Sequence, residues 1–370
     1  MTDGPVGVGI VGAGTISGAY LRNLTAFPDL RVLMVADLDT GRAAEQAARS
    51  GVARSGTAQD LLADPGVEIV VNLTVPAAHV EVGLAALDAG KHVWTEKPLA
   101  LDRGSARTLL DRAAGLGLRV ASAPDTVLGA GLQTARRALD AGRIGTARTA
   151  LALFQSPGPE SWHPAPEFLF RAGAGPLLDM GPYYLTALVH LLGPVERVTA
   201  TGGRLRGTRT IGSGPRAGTG FAVEVATTVA ALVEFAGGGS AQLLTTFDSA
   251  LARTGLEVTG TLGTAVLPDP NRFDGVTTLH LLGGERGARK PEDLAAEGHP
   301  ATRGTGVLEL ARAIRAGRPE RAPGELAYHV LDVMLAIEES VARRETVSVT
   351  STVHVPPALP AGWDPYARTL

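Results

Sequence analysis

Chemistry in this chain begins with Gly12-Ala13-Gly14-Thr15-Ile16-Ser17. Glycines at 12 and 14 let the backbone approach a pyrophosphate, and the amides of Thr15 and Ile16 at a helix start present the positive end of the helix dipole to it. Ser17 stands where such fingerprints usually carry a third glycine. Asp37, 20 residues beyond Ser17, is spaced to accept hydrogen bonds from an adenosine ribose. Asp39 adds a second carboxylate there, which repels a 2′-phosphate, so NAD is expected over NADP. Thr74-Val75-Pro76 can line the same cofactor with His79, although His79 serves equally as a plain helix start. Glu96 and Lys97 come next. Lys97 is one of only three lysines, and an ammonium in a cleft can hydrogen-bond a reacting oxygen, stabilise developing alkoxide charge and pass a proton. Pro98 keeps it out of helical backbone.

Asp179 and Tyr183 stand four residues apart, so both fall on one helix face, and a tyrosine near a lysine can give or take a proton. Which of Lys97 and Tyr183 is the main acid/base is left open by the spacing. Trp162-His163-Pro164 suits stacking and hydrogen bonding on a pyranose, and suits a packing anchor equally well. Arg171 and His329 are further substrate-contact candidates without a spacing argument, and His190 is expected in the core or an interface.

These residues need elements to hold them. Strands are expected at Val6–Val11, Leu30–Ala36, 52–54, 67–73, His92–Thr95 and 119–123, with helices at 16–27, 41–49, Ala58–Ala63, 79–89 and 105–114 between them. That alternation argues for a doubly wound parallel sheet, with the glycine turn, Thr74 and Lys97 at the carboxyl ends of its strands. Beyond Pro124 the pattern changes: a helix at 131–141, a Pro-rich loop at 157–166, a helix from near Pro182 to Gly193, then strands at 195–201, 221–235, 240–247, 256–261, 264–267 and 276–282. Two late helices, 306–316 and 323–342, precede a Pro-rich strap. Residues 202–220 hold seven glycines and four arginines and read as a mobile loop. The expected organisation is therefore α/β: a Rossmann domain at 1–123, an α+β domain with an open, mostly antiparallel sheet at 124–345, and a strap at 346–370.

The motifs resemble one known family, the glucose–fructose oxidoreductase / inositol dehydrogenase / MocA oxidoreductases. The matching pieces are the glycine turn, Thr74-Val75-Pro76 with His79, residues 89–100 (AGKHVWTEKPLA) and residues 175–194 (GPLLDMGPYYLTALVHLLGP). The resemblance implies a Rossmann domain joined to an α/β domain that often mediates oligomers, and activity on a hydroxyl or carbonyl carbon of sugars and cyclitols. It implies Lys97, Asp179 and Tyr183 as catalytic residues. Tyr183 stands where many members have His, and Thr186 where a second Asp is frequent.

Composition narrows the classes. The chain has 370 residues, no cysteine, and a net charge of −3 from 34 Lys+Arg and 37 Asp+Glu. Disulfides, thiolate metal sites and a cysteine nucleophile are excluded, and no basic surplus favours nucleic acid or anionic membranes. No metal is expected. The start, Met1-Thr2-Asp3-Gly4-Pro5, shows no secretion pattern and no apolar run reaches membrane length, so a cytoplasmic protein is expected. The reading is an NAD-dependent dehydrogenase/reductase of a sugar or polyol, with an NAD-dependent glycosidase or a non-catalytic NAD- and ligand-binding regulator as alternatives. Apolar residues on both faces of the second sheet, as in Ala230-Ala231-Leu232-Val233, point to a homodimer or homotetramer.

Overall fold

The computed structural model describes residues 4–283 and 290–370; Met1, Thr2 and Asp3 of the N-terminal reading lie outside them. From the N-terminus, β1 (Val6–Val11), α1 (Ser17–Leu24), β2 (Leu30–Ala36), α2 (Thr40–Arg49), β3 (Ser55–Gly56), α3 (Ala58–Ala63), β4 (Ile69–Asn72), α4 (His79–Asp88), β5 (His92–Thr95), α5 (Arg103–Leu116) and β6 (Val120–Ser122) alternate. The strands pair in parallel in the order β3-β2-β1-β4-β5-β6, a doubly wound sheet. β1 and β4 are buried at every position, as strands covered on both faces must be. The order reverses between them, which opens a crevice beyond their carboxyl ends. β3 starts later than the apolar Val52 suggests. Gly51 turns left-handed (φ 69°), and the Val52 amide closes α2 by donating to the Ala47 carbonyl.

The chain continues through α6 (Ala130–Asp140), β7 (Ala147–Gln155), α7 (Gly175–Leu192), β8 (Val195–Gly203), β9 (Thr208–Thr210), β10 (Gly220–Ala222), β11 (Thr228–Phe235), β12 (Ser240–Thr246), β13 (Arg253–Gly260), β14 (Gly263–Val266), β15 (Thr277–Leu281), β16 (Glu292–Leu294), α8 (Thr305–Arg315), α9 (Gly324–Arg343) and β17 (Val347–Ser348). A nine-stranded sheet runs β16-β15-β14-β13-β7-β12-β11-β8-β17, antiparallel except where β12 meets β7. Its centre, β7, was not expected from sequence. Alanine and leucine favour helix, and only Ala150 and Ala152 of the strand are buried, so no period-two signal stands out.

Two other expectations are corrected. The helix near Pro182 begins earlier, at Gly175, with Pro176 in its first turn and Pro182 inside it. A proline reads naturally as a helix start, whereas here packing carries the helix through it. The 202–220 segment is anchored. β9 pairs with β10, and the Arg209 side chain, 1% exposed, bonds Glu160 and Asp248. The expected strand at 221–235 accordingly splits into β10 and β11.

By packing, the chain forms two units. The first takes residues 4–133, Glu297–Leu331 and Pro356–Leu370; the second takes Thr134–Ala296 and Asp332–Val355. The contiguous limits 123/124 and 345/346 read from sequence do not capture this interleaving. In the first unit the core joins Ile10, Tyr20, Leu21, Ile69 and Trp94 to Val307, Leu308 and Ala311 of α8. Asp125, fully buried, accepts from the Gly304 and Gly306 amides at the start of that helix (2.8 and 3.2 Å). The strap closes on Asp29, which accepts from the Thr369 and Leu370 amides and from Arg312 Nε (2.8, 3.0 and 2.8 Å). In the second unit Phe154, Phe170, Phe221 and Phe247 form an aromatic cluster.

Candidate active site

Gly12 leaves β1 with φ 105°, and a Cβ there would lie 2.7 Å from the Leu73 backbone, so both conformation and space demand glycine. A Cβ on Gly14 would meet nothing within 4 Å: the space above it is open. α1 starts just beyond with Ile16 at its cap position and no capping side chain, and Thr15 is exposed. The turn is held from below, where buried Ser17 donates to the Gly14 carbonyl at 2.6 Å. An uncapped helix start beneath open space is what a pyrophosphate requires.

Asp37 ends the second strand's side of the crevice. Its Oδ2 accepts from the Ala13 amide at 2.7 Å, and its Oδ1 accepts from the Asp39 amide at 2.9 Å and from Arg42 at 2.7 Å. Burial opposes its ionisation, but these donors, Arg42 foremost, outweigh it and hold the carboxyl below the usual range. A carboxylate offers about four acceptor sites, so capacity for a ribose hydroxyl is left. Capping of α2 falls to Asp39, which accepts from the Arg42 amide at 3.1 Å. The sequence reading did not single out Arg42; its place three residues after the cap was the available signal.

Past β4, Asn72 organises the loop. Its Oδ1 accepts from the Thr74 hydroxyl (2.6 Å) and its Nδ2 donates to the His79 carbonyl (2.9 Å). Val75 and Pro76 are exposed. His79 is fully buried, with Nδ1 2.7 Å from the Pro98 carbonyl and Nε2 3.1 Å from the Thr74 carbonyl. Burial pushes its pKa down while the two carbonyls oppose that shift, and the ring sits between the Thr74 loop and the Pro98 loop with one nitrogen facing each. Glu96 follows β5; its amide donates to the Asn72 carbonyl at 2.9 Å and its Oε2 accepts from the Lys97 amide at 3.0 Å. Lys97 is half-buried, and the Lys97–Pro98 peptide is cis. The first unit thus brings Gly12, Gly14, Thr15, Ile16, Asp37, Thr74, Pro76, His79, Glu96 and Lys97 to one edge of its sheet.

In the second unit, Asp179 and Tyr183 lie one turn apart within α7, Asp179 half-buried and Tyr183 8% exposed. Thr186 is buried one further turn on. Trp162 is 68% exposed, in a loop apart from that helix. His163 stands between Trp162 and Phe168, edge-to-face with both at centroid distances of 5.5 and 5.4 Å. His190 is buried, as expected, and burial, with Arg136 nearby, lowers its pKa to about 3. His329 is also buried, while Arg171 is exposed.

Comparison with known proteins follows the same division. Residues 6–123 match the oxidoreductase family with an NAD-binding Rossmann fold, and residues 132–266 match the GFO/IDH/MocA C-terminal domain. The 1,5-anhydro-D-fructose reductase of Ensifer adhaerens is 29% identical over 294 residues, 78% of this chain and 83% of its own. The trans-1,2-dihydrobenzene-1,2-diol dehydrogenase of Bos taurus is 29% identical over 267 residues, 71% of this chain and 74% of its own. Among solved structures, levoglucosan dehydrogenase in complex with NADH and L-sorbose aligns with a TM-score of 0.83 at 22% identity, over 94% of this chain and 99% of that one, a likeness of fold. With a glycine turn, the Asp37 carboxylate and Glu-Lys-Pro at one sheet edge, and both halves of one family matched in order over more than half of its length, the chain belongs to the GFO/IDH/MocA oxidoreductases.

Proposed function

We propose that the protein is an NAD-dependent dehydrogenase/reductase that interconverts a secondary hydroxyl and a carbonyl on a sugar, cyclitol or related polyol. The observation that carries this reading is the open, uncapped helix start at Gly14 beside the Asp37 carboxylate, on the same sheet edge as Lys97. NAD, when bound, supplies the hydride acceptor. The amides following Gly14 hold its pyrophosphate, Asp37 accepts from its ribose, and Thr74 and Pro76 line it. Asp37 and Asp39 together disfavour a 2′-phosphate, so NAD is the cofactor rather than NADP. The Lys97 ammonium hydrogen-bonds the reacting oxygen and stabilises its charge, Tyr183 holds or takes the hydroxyl proton, and Asp179 orients a substrate hydroxyl. Trp162 and His163 offer an aromatic face and an imidazole to the sugar. The names of the relatives, a reductase of 1,5-anhydro-D-fructose and a dehydrogenase of levoglucosan, support that substrate class.

The test is a screen of sugars and polyols with NAD, read by nicotinamide absorbance. NADH is expected with at least one, and Lys97→Ala is expected to lose ~10²–10⁴ in kcat on it. Wild-type turnover in that variant overturns the assignment of Lys97. Ligand-dependent NAD affinity with no NADH from any substrate would replace the enzyme by a regulatory binder.

The absence of cysteine agrees with a cytoplasmic setting. The nine-stranded sheet supports a homodimer or homotetramer: Leu232 and Leu151 are 41% and 37% exposed on the face away from buried Ala231 and Val233. Light scattering at micromolar concentration is expected to give at least twice the 38.0 kDa chain mass.

A further inference from the structure

We infer that Tyr20 is a positioning residue for Lys97, acting through Glu96; this rests on the catalytic reading of Lys97 above. Tyr20 lies in the first turn of α1, the helix that opens from the glycine turn, and is fully buried. Its hydroxyl donates to Glu96 Oε1 at 2.8 Å and accepts from Trp94 Nε1 at 3.2 Å. The other oxygen of the same carboxylate accepts from the Lys97 amide at 3.0 Å. Both oxygens of Glu96 are thereby fixed, one by a side chain of α1 and the other by the main chain of the lysine itself.

The far end of this chain of bonds is rigid. Trp94 is completely buried, and a Cβ on Gly306 would lie 2.1 Å from its ring, so the first turn of α8 rests directly on the indole. Burial, with the Glu96 and Asp125 carboxylates nearby, raises the Tyr20 pKa well above its ordinary value, so the phenol remains a donor at any working pH. A buried tyrosine could have been replaced by phenylalanine if only volume mattered. The hydroxyl instead connects the helix that receives the pyrophosphate to the backbone from which Lys97 projects. A misplacement of about 1 Å in a reacting group is enough to cost ~10²-fold in rate, so an oriented main chain at Lys97 has a catalytic consequence.

Tyr20→Phe removes the hydroxyl and keeps the ring. On the best substrate of the screen it is expected to lower kcat about tenfold while KM for NAD and calorimetric NAD affinity stay near wild type, a split that general loosening of the fold would not give. Glu96→Gln keeps the size of the side chain but leaves one acceptor oxygen where two are used, so either the Tyr20 O–H or the Lys97 amide loses its partner; it is expected to lower kcat similarly and carries the test if Tyr20→Phe does not fold. The decisive arm is the pair Tyr20→Phe with Lys97→Ala. If Tyr20 acts through Lys97, its removal has no further effect on the residual turnover of Lys97→Ala, because effects within one unit are not additive. Wild-type kcat in both Tyr20→Phe and Glu96→Gln, or full multiplication of the Tyr20 and Lys97 losses, overturns the inference. Wild-type turnover in Lys97→Ala alone would overturn the catalytic reading instead, so the two failures are distinguishable.

Discussion

Asp37 is fixed by structure at a place where recognition is proposed. Its carboxylate ties the Ala13 amide of the glycine turn to Arg42 of α2, and retains acceptor capacity for the proposed ribose contact. Wild-type protein is expected to bind NAD at least tenfold more tightly than NADP, ~1.4 kcal/mol by calorimetry. Asp37→Ser removes the negative charge and releases the Arg42 guanidinium, so the preference is expected to shrink or invert; equal affinities in the wild type would remove Asp37 from this role. The histidines make a separate prediction about acid. Burial and Arg119 lower the His92 pKa to about 4, and burial lowers that of His190 to about 3, both from 6.5. A histidine depressed in the folded state is protonated first in the unfolded chain. Its contribution is therefore whole above the unfolded pKa and is lost as pH falls toward the folded one, at up to ~1.4 kcal/mol per pH unit for each group. Urea midpoints are expected to fall between about pH 6.5 and about pH 4, with a shallower fall in His92→Gln, whose amide can still accept from Arg119. A flat profile would contradict the burial argument.

At the level of elements, the β9–β10 ribbon depends on one guanidinium. Arg209 bonds Glu160 and Asp248, donates to the Phe247 carbonyl at 2.8 Å, and lies 5.0 Å from the Phe170 ring centroid. Arg209→Met strands two carboxylates beneath the loop that carries Trp162 and is expected to cost ~3–5 kcal/mol, read as a lower urea midpoint. Arg209→Lys should recover little, since a point charge cannot reach both carboxylates and the carbonyl. An unchanged midpoint would return the segment to the mobile loop its composition suggests. That reversal illustrates what sequence could reveal. β1, β2, α3 and β5 form at the residues where apolar runs, caps and turn residues mark them, because those signals are local. β7 and the first turns of α7 escaped, since their boundaries are set by the elements packed on them rather than by their own residues. The glycine turn and Lys97 were legible because backbone freedom and a rare lysine show in the letters. The bond between Tyr20 and Glu96 was not, for its partners stand 76 residues apart and neither type announces the other.

For the whole molecule, the interleaved units set the terms. The first unit is completed by α8 and by the strap, where Arg312 donates to the Asp364 and Ala367 carbonyls (2.8 and 2.7 Å) beneath the Trp363 ring. Removing residues 356–370 takes from the buried Asp29 its two backbone donors and the Thr369 hydroxyl, and uncovers Phe27, which packs on Tyr366. Each stranded buried group costs ~1–3 kcal/mol, so the truncated chain is expected to melt well below the full one and to lose NAD affinity with the fold; an unchanged melting temperature would show the strap to be ornamental. The pairing of Asp29 with Leu370 spans 341 positions, and it also bears on synthesis. A nascent chain emerges N-terminus first, and most domains near the start fold while the rest is being translated. Here the first unit is expected to remain incomplete, with Asp29 held by Arg312 alone, until residues 356–370 supply the Thr369 and Leu370 donors. Stalled chains ending before residue 356 should stay protease-sensitive in their first 133 residues, and released chains should not. In a cell that interval is expected to be a window for chaperones, opened by the thread of the chain rather than by any weakness in the finished sheet.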